Sequence, residues 1–513
     1  MICLSTTQGS PEATVAAIEE NSRWIDLVEL RLDFWDLSEE TLRRGAALFG
    51  PDAPARAAAP GRDHRSLPRI VTVRRTVDGG RFNGSEAERA AALQRALELL
   101  RPEQVDLEDD FCETATGGTL LDSARGAGIS VIRSVHEFGG TPDDLSQRIE
   151  ALESREGDLF KYAVRCEGSG DLLRLYRAAQ AAGIRNSGVE RLLLGMGRYG
   201  VPSRLLPRRF GSRWTYASVP TEKTISAAPG QFTPRELVER FAYREAAAGA
   251  PLFAVLGDPV LHSGSPSFHN ERFRAAGVDA AYVAFPADDL DAAMELFDAF
   301  EIRGVSVTIP HKEGVFSYLS DREPAVTALG ACNTLLRRTD GSWRGRNTDV
   351  PGFLAPLEAR FPGLSGRSAL VIGAGGAARA VVFALLRAGV GLTVANRTVE
   401  RGERLVAELN GSAEVDSSSI TVRRLDDPEL REQPFELIVQ TTNVGMDGIS
   451  EPIPDLPFAS GQLVYDIIYT PPETPLIRRA LAAGATTVTG DLMFRAQAEE
   501  QFHSFLELAI GNE

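Results

Sequence analysis

Three lysines, Lys161, Lys223 and Lys312, stand among 52 arginines in this 513-residue chain. Arginine cannot lose its proton in a protein and cannot form an imine. A lysine retained against such a bias is therefore enriched for work that needs a movable proton or an attackable amine. Lys161 lies in LFKYAV, a run that is otherwise apolar. A lone ammonium there is unfavourable unless neutral or paired, and a desolvated amine attacks a ketone to form an imine. His136 ends the preceding strand-like run, SVIRSVHEF. An imidazole at that point suits proton transfer beside an iminium. Glu29 and Arg31 in VELRLD point the same way, because side chains alternate along a strand. Arg74 and Arg204 are further candidates for holding a carboxylate.

A second set of polar residues follows in the other half. GDPVLHSGSPSFHN (257–270) joins a strand to a helix, with Ser263 and Ser265 poised to hold a small anion. VTIPHKE (307–313) puts Thr308 and Lys312 at another strand end, and the NTL and NTD triplets add Asn333 and Asp349. A carboxylate near an ammonium suits proton delivery to a carbonyl that becomes an alkoxide during hydride addition. Asn333 and Asn347 equally suit turns, and His262, His269 and His311 suit ordinary hydrogen-bonding or core positions. ALVIGAGGAARAV (369–381) has the order strand, glycine turn, helix. Its candidate cofactor turn is Gly373, Ala374, Gly375, Gly376 and Ala377. Glycines allow the tight turn and the approach of a pyrophosphate, and the helix N-terminus offers N–H groups and a positive dipole end. The next strand ends in Asn396, Arg397 and Thr398. NAD units usually carry an acid there, whereas Arg397 with Thr398 fits the 2′-phosphate of NADP. Arg401 either assists or faces solvent on its helix.

The elements that must carry these groups form two series. Strand-like runs at 2–6, 25–32, 69–74, 105–108, 129–135, 159–164, 191–195 and 214–218 alternate with amphipathic stretches such as 86–100 and 143–155. Eight βα units close into a barrel, with chemistry at the C-terminal strand ends. Segment 51–68 is Pro/Ala/Arg-rich and is expected as a surface loop, 233–247 as a last helix, and 246–251 as a short linker. The second series has strands at 251–257, 281–285 and 304–309, then a turn-rich stretch. Strands at 368–373, 392–396, 419–423, 436–440 and 463–467 follow, with helices at 266–276, 288–300, 350–361, 376–388, 399–410 and 497–511. The expected class is α/β: an N-terminal (β/α)8 barrel, then two α/β subdomains with a cleft, one of them a Rossmann-like NADP-binding unit. Expected boundaries are 1–246, 247–350, 351–490 and 491–513.

Composition excludes several classes. The formal charge is −16, which argues against a general nucleic-acid binder and a broad attraction to anionic membranes. Apolar residues make up 43% and charged residues 25%, ordinary for a globular chain. No run approaches the ~18 apolar residues of a membrane span. Cys3, Cys112, Cys166 and Cys332 form no CxxC pair or zinc-like cluster, so no metal is expected and a reducing compartment is. The first residues lack the basic and apolar order of a signal or transit segment. Localisation is expected to be cytoplasmic.

Motifs in the second half, HSxSPxxHN, VTxPHK, GAxNT, GxNTD, GAGGAARA, NRT, TTxxGM, YDxxYxPxxTPL and GxxMxxxQAxxQF, make residues 251–513 resemble shikimate dehydrogenase. The resemblance implies reduction of 3-dehydroshikimate to shikimate with NADPH. It implies that the last three segments make a two-subdomain α/β dehydrogenase, with 491–513 a helix packing back on its substrate-binding subdomain. It implies that Ser263 and Ser265 bind the substrate carboxylate and that Lys312 and Asp349 act at the reacting oxygen. Thr308, Asn333, Tyr469 and Gln497 would shape the hydroxyl pocket, with Met493 near the nicotinamide. The chain departs from that pattern with Asp258 for a usual Asn, Gly264 for a bulkier apolar residue and Phe494 for a usual Leu. Phe505 or its neighbours replace a usual Trp.

The first half carries ELRxD (29–33), TVR…GG (72–80), SxH (134–136), FKYA, MGxxGxxSR (196–204) and APGQ (228–231), and resembles type I 3-dehydroquinate dehydratase over 1–244. The resemblance implies a Schiff base between Lys161 and the C3 ketone, with His136 abstracting the C2 proton and helping water leave from C1. Arg204 would grip the carboxylate and Gln231 would sit in a covering segment. Glu29, Arg31 and Arg74 would line the pocket, and Asp78 would orient His136. Ala227 stands where a Ser often precedes APGQ, and a role for Lys223 stays open. Together the halves resemble a bifunctional enzyme in which one product is the next substrate. The alternatives are quinate or a related cyclohexane acid as the second substrate, an inactive barrel serving dimerisation or regulation, or an NADP sensor without catalysis. The expected partners are small molecules, with the chain a monomer or homodimer.

Overall fold

A computed structural model describes residues 1–51, 63–220, 230–410 and 420–511. Of the loop expected over 51–68, residues 52–62 lie outside the described residues, as do Lys223 and Ala227, while His64–Ser66 form a short 3-10 turn. The chain divides into two compact units, Met1–Ile302 and Arg303–Glu513. No described helix is long and apolar enough to cross a membrane.

Eight strands run in parallel in the first unit: β1 (Ile2–Thr6), β2 (Leu27–Arg31), β3 (Arg69–Thr72), β4 (Gln104–Glu108), β5 (Ser130–Glu137), β6 (Leu159–Arg165), β7 (Arg191–Met196) and β8 (Thr215–Ala217). Their order is β7-β6-β5-β4-β3-β2-β1-β8. A bridge between Arg191 and Ser212 brings the ends together, and Ser212 Oγ donates to the Leu193 carbonyl at 3.0 Å. The strands thus curl into a (β/α)8 barrel.

The strand period decides what fills it. Cys3, Leu27, Ile70, Ile132, Leu159, Leu192 and Trp214 form one buried apolar cluster. Two residues further along the same strands, on the same face, stand Ser5, Glu29, Thr72, Ser134 and Lys161. The barrel interior is therefore apolar toward its N-terminal end and polar and charged near the C-terminal strand ends.

The helices Glu86–Leu100 and Leu145–Glu153 fall where periodicity places them, the first closed by a Ser85/Glu88 capping box. The single helix expected over 233–247 is instead broken. A π-turn spans Glu236–Arg240, and Ala242 at φ +49° separates it from the helix Tyr243–Ala248. Unit one continues through β9 (Leu252–Gly257), the helix Ser265–Ala275, β10 (Ala281–Pro286) and the helix Leu290–Phe300. β9 and β10 pair in parallel.

The second unit begins within β11 (Ile302–Val307) and continues with β12 (Leu319–Arg322), β13 (Thr334–Arg337) and β14 (Trp343–Arg346). β13 pairs antiparallel with both β11 and β14, and β12 pairs parallel with β14. The sequence suggests a strand at 304–309 and mostly turns after it, and the structure corrects the turn-rich part by adding β12, β13 and β14. Four-residue strands such as WRGR show too little alternation to announce themselves. A six-stranded parallel sheet follows: β15 (Ser368–Ile372), β16 (Gly391–Asn396), β17 (Ile420–Arg424), β18 (Leu437–Gln440), β19 (Leu463–Asp466) and β20 (Thr486–Thr489). Its order is β17-β16-β15-β18-β19-β20. Ala369 and Val371 of β15 enter one apolar cluster while Leu370 and Ile372 enter another, so both faces are covered. β20 and the helix Pro475–Ala482 are further elements beyond those expected, and the last helix begins at Gly490, well ahead of the expected start at 497. It packs on the helix Asp349–Arg360, where a Cβ on Gly352 would meet Gln497 Cβ at 2.4 Å. Glycine there lets the two helix backbones approach.

Candidate active sites

At the C-terminal strand ends of the barrel, Glu29, Arg31, Arg74, His136, Lys161, Arg204 and Gln231 line one cavity of about 110 Å³. All seven are singled out by the sequence. Their partners are mostly residues that are not. Lys161 Nζ donates to Asp106 Oδ2 at 3.0 Å and lies 4.7 Å from the centre of the Tyr216 ring. Arg74 approaches the same carboxylate at 2.7 Å, and Ser134 Oγ donates to its other oxygen at 2.6 Å. Arg74 also donates to Glu108 at 2.8 Å. Burial pushes the Asp106 carboxyl up, but Arg74 and Lys161 outweigh it and hold the group below the usual carboxylate range. Asp106 is thus the anion that makes a buried lysine tolerable. A clue lay in QVDLE, where Asp106 and Glu108 alternate with apolar residues on a strand buried in a barrel.

Glu29 accepts from Ser5 Oγ and from Thr72 Oγ1, the latter at 3.0 Å. Arg31 donates twice to Asp33, both at 2.8 Å, a fork-to-carboxylate pair that fixes its plane. His136 has a buried Nδ1 without a hydrogen-bond partner among the described residues, and its ring stacks near Phe138. Burial, reinforced by Arg74 and Lys161, pulls its pKa well below the usual imidazole value. Neutral imidazole is the form that accepts a proton. Asp78, expected to orient His136, instead accepts from Arg75 Nε at 2.6 Å while still lining the cavity. Arg204 is buried and donates through Nε to the Gly195 carbonyl at 3.0 Å. Burial lowers it to about 10, which leaves it cationic at neutral pH. Gln231 presents a buried Oε1 with no hydrogen-bond partner among the described residues.

In the second unit Lys312 Nζ donates to Asp349 Oδ2 at 2.5 Å. Asn333 Nδ2 donates to Asp349 Oδ1 at 2.9 Å and to Thr348 Oγ1 at 3.0 Å, and Thr348 N donates back to Asn333 Oδ1 at 2.8 Å. Gln497 Oε1 accepts from Thr348 Oγ1 at 3.3 Å. Lys312, Asn333, Asp349 and Gln497 therefore belong to one polar network. Gln501, which sequence reasoning passes over, completes it by donating to the Asn333 carbonyl at 3.1 Å and to Thr334 Oγ1 at 2.9 Å. Thr308 follows β11 and accepts through its carbonyl from His311 N at 2.9 Å. Tyr469 stands apart from this network among the described residues: it is 49% exposed and stacks on Phe494. Ser263 and Ser265, in the first unit, share a hydrogen bond of 3.1 Å between their hydroxyls.

The glycine turn follows β15. Gly373 adopts φ +115°, and a Cβ there would meet Thr441 Oγ1 at 2.5 Å. Gly375 and Gly376 have no neighbour within 4 Å of such an atom, and no side chain caps the helix Gly376–Arg387 that begins there. Its first N–H groups remain available to an anion. Ala374 and Ala377 belong to the same turn. Beyond β16, Asn396 Nδ2 donates to the Thr398 carbonyl at 2.8 Å, which shapes the bend. Arg397 is exposed just beyond this strand, and Arg401 is exposed on the first turn of the helix Val399–Asn410. Met493 packs against the apolar cluster of this sheet.

Models of three families match the chain: type I 3-dehydroquinase over residues 2–247, the shikimate dehydrogenase substrate-binding domain over 255–335, and shikimate/quinate 5-dehydrogenase over 356–429. A chloroplastic bifunctional 3-dehydroquinate dehydratase/shikimate dehydrogenase of Arabidopsis thaliana is 31% identical over 469 residues, covering 87% of this chain and 74% of its own. A shikimate dehydrogenase (NADP(+)) of Moorella thermoacetica is 40% identical over 262 residues, covering 50% of this chain and 88% of its own. Among solved structures, shikimate 5-dehydrogenase of Thermus thermophilus in complex with NADP(H) and shikimate is 34% identical, with a TM-score of 0.43, covering 50% of this chain and 98% of its own. The chain belongs to the bifunctional 3-dehydroquinate dehydratase/shikimate dehydrogenase family, a lyase and an oxidoreductase of the shikimate pathway joined in one polypeptide.

Proposed function

We propose that residues 1–246 dehydrate 3-dehydroquinate to 3-dehydroshikimate through an imine on Lys161, and that the remainder reduces 3-dehydroshikimate to shikimate with NADPH. In this scheme 247–350 forms the substrate-binding subdomain, 351–490 the NADP-binding unit and 491–513 the closing helix.

One observation carries the dehydratase mechanism. The lone amine of Lys161 lines the same buried cavity as the neutral imidazole of His136 and the cation of Arg204. Arg204 receives the substrate carboxylate, aided by Gln231, while Glu29, Arg31 and Arg74 line the pocket around the ring. Lys161 Nζ adds to the C3 ketone, and loss of water gives the iminium. His136 takes the C2 proton into its ring, and the electron pair passes into the enamine. The C1 hydroxyl then leaves as water with a proton returned by His136. Water adds back to the iminium carbon, the C–N bond breaks, and the ketone and the amine of Lys161 are restored. Asp106 accepts from Nζ at 3.0 Å and holds the amine in place between turnovers.

The second half fits a dinucleotide at the turn Gly373–Ala374–Gly375–Gly376–Ala377, where Gly375 and Gly376 leave open space and the helix N-terminus is uncapped. Asn396, Arg397 and Thr398 lie at the end of the neighbouring strand and Arg401 on the helix after it, so a cation rather than an acid would meet the 2′-phosphate, and Met493 would border the nicotinamide. NADPH bound there supplies a hydride. Lys312, held at 2.5 Å by Asp349, donates the proton to the oxygen that becomes a hydroxyl. Asn333 aligns Asp349 from its other oxygen. Thr308, Asn333, Tyr469 and Gln497 bind ring hydroxyls, and Ser263 and Ser265 take the carboxylate.

A coupled assay tests both halves. The full chain given 3-dehydroquinate and NADPH should consume the nicotinamide absorbance. Borohydride with 3-dehydroquinate should leave a reduced adduct on Lys161 and none on Lys161→Ala. Turnover without any trapped adduct would sink the imine mechanism. Absence of turnover from 3-dehydroquinate, with activity on 3-dehydroshikimate intact, would leave the barrel a non-catalytic module. Oxidation of quinate in preference to shikimate would change the assigned substrate.

A further inference from the structure

The loop that carries Ser263 is anchored at both ends by side chains of the barrel. It runs from the end of β9 at Gly257 to the helix beginning at Ser265. At its start, Tyr199 Oη donates to Asp258 Oδ2 at 2.7 Å, and Arg198 pairs with Asp258 Oδ1 at 3.1 Å. Both residues lie between β7 and the short helix that carries Arg204. At its end, Arg240 Nη2 donates to the Leu261 carbonyl and to the Ser263 carbonyl, the latter at 3.2 Å. Arg240 is fixed in turn: Asn270 Nδ2 donates to its carbonyl at 2.8 Å, and its guanidinium lies 4.8 Å from the centre of the Phe241 ring. The π-turn Glu236–Arg240 and the break at Ala242 shape the stretch on which it stands.

We infer that Arg240 is a positioning residue for the dehydrogenase reaction: by holding the backbone of Leu261 and Ser263, it aims the Ser263 and Ser265 hydroxyls at the substrate carboxylate. Arg198 and Tyr199 form the second anchor through Asp258. This rests on the assignment of the two serines to the carboxylate. The chemistry fits. A guanidinium offers several donors in one plane, so it grips two nearby carbonyls where a lysine offers a point charge. Asp258, which stands where the resembled family usually has Asn, gives the barrel's Arg198 an anion to pair with. The hydroxyls are held by a local contact, since Ser265 N donates to Ser263 Oγ at 3.2 Å. A preformed anion site spares the ordering that a free loop would require on binding. The barrel thereby contributes to a binding event in the other half while its own cavity serves the dehydratase.

The test compares Arg240→Gln, Arg240→Lys, Ser263→Ala and the double variant Arg240→Gln/Ser263→Ala in the full chain, each followed by steady-state kinetics of both activities. Arg240→Gln should raise KM for shikimate about tenfold and keep kcat within about twofold, with Arg240→Lys between it and the parent. Dehydratase kinetics should stay unchanged in Arg240→Gln. In the Ser263→Ala background, where the aimed hydroxyl is gone, adding Arg240→Gln should raise KM by less than it does alone. If Ser263→Ala raises KM while Arg240→Gln leaves it alone, or if the two effects multiply in full, Arg240 has no positioning role and the serine assignment stands. If Ser263→Ala leaves KM for shikimate unchanged, the serine assignment fails and the inference with it. A loss in Arg240→Gln that lowers kcat and dehydratase turnover together marks a general structural role and overturns the inference.

Discussion

Replacing Asp106 by Asn separates the electrostatic role of this carboxylate from its shape. Asp106 sits 3.0 Å from Lys161 Nζ and 2.7 Å from Arg74, with Ser134 Oγ at 2.6 Å on its other oxygen. The carboxylate is fully enclosed, so solvent cannot take over its part. Removing one partner of a buried ion pair costs about 3–5 kcal/mol, since the remaining charge is left in a medium that solvates it poorly. Asn keeps the shape and one acceptor, which places the effect near the lower end, about 3 kcal/mol. At about 2–4 °C per kcal/mol for a domain of this size, the barrel should melt roughly 6–12 °C earlier. Tryptophan fluorescence follows it directly, because Trp24, Trp35 and Trp214 belong to the barrel half. The pH dependence sharpens the test. Burial pushes Asp106 up but Arg74 and Lys161 hold it below the ordinary range, so its folded pKa is depressed. Its stabilisation is fully present above the unfolded value of about 3.9 and is lost as pH falls from there through the folded value. The gap in stability between parent and variant should be flat from about pH 5 to 8 and close only below about pH 4. A shift under about 1 °C at pH 7 would refute the argument. So would a gap that closes near neutrality.

The remaining predictions concern both halves. His136 is held well below its usual pKa by burial and by Arg74 and Lys161, so the acid limb of dehydratase kcat/KM should lie well to the acid side of the ordinary imidazole value of about 6.5. Half-maximal activity near pH ~6.5 would show an unshifted imidazole. Lys312→Met should lower dehydrogenase kcat by about a hundredfold or more, with dehydratase turnover retained, as measured in separate assays of the same preparation. Arg397→Ala should raise KM for NADPH about tenfold and leave KM for NADH unchanged; equal losses with both donors would remove Arg397 from the 2′-phosphate. Gly352→Ala forces a Cβ to within 2.4 Å of Gln497 Cβ and 2.8 Å of its Cα, so the two helices must separate. Calorimetry should register a loss of about 1–3 kcal/mol, together with a lower kcat for the dehydrogenase through displaced Gln497.

Much of this protein was legible from residue types and periods. Eight βα units were visible because barrel strands are buried on both faces and their Val/Ile/Leu runs recur between amphipathic stretches. Lys161 and Lys312 were conspicuous because arginine had replaced lysine nearly everywhere else. The glycine turn at 373–376 was visible because local backbone geometry alone demands it. All of these signals are local. The four-residue strands β12 to β14 and the break at Ala242 were hidden because their conformations answer to neighbours distant in sequence, which propensity does not report.

The same division runs through the sites. Strand alternation determined which side chains enter the barrel, but only the curl of the sheet brought Asp106 to Lys161 across 55 positions, since an anion stabilises a buried amine by distance and not by order in the chain. Asp78 meets its cation locally instead: Arg75, three residues before it across a short 3-10 turn, donates to its carboxylate at 2.6 Å. Gln501 and Arg240, by contrast, carry no motif of their own. Their parts follow from which carbonyls they meet, 168 and 23 residues away, once hydrophobic burial has packed the surrounding elements.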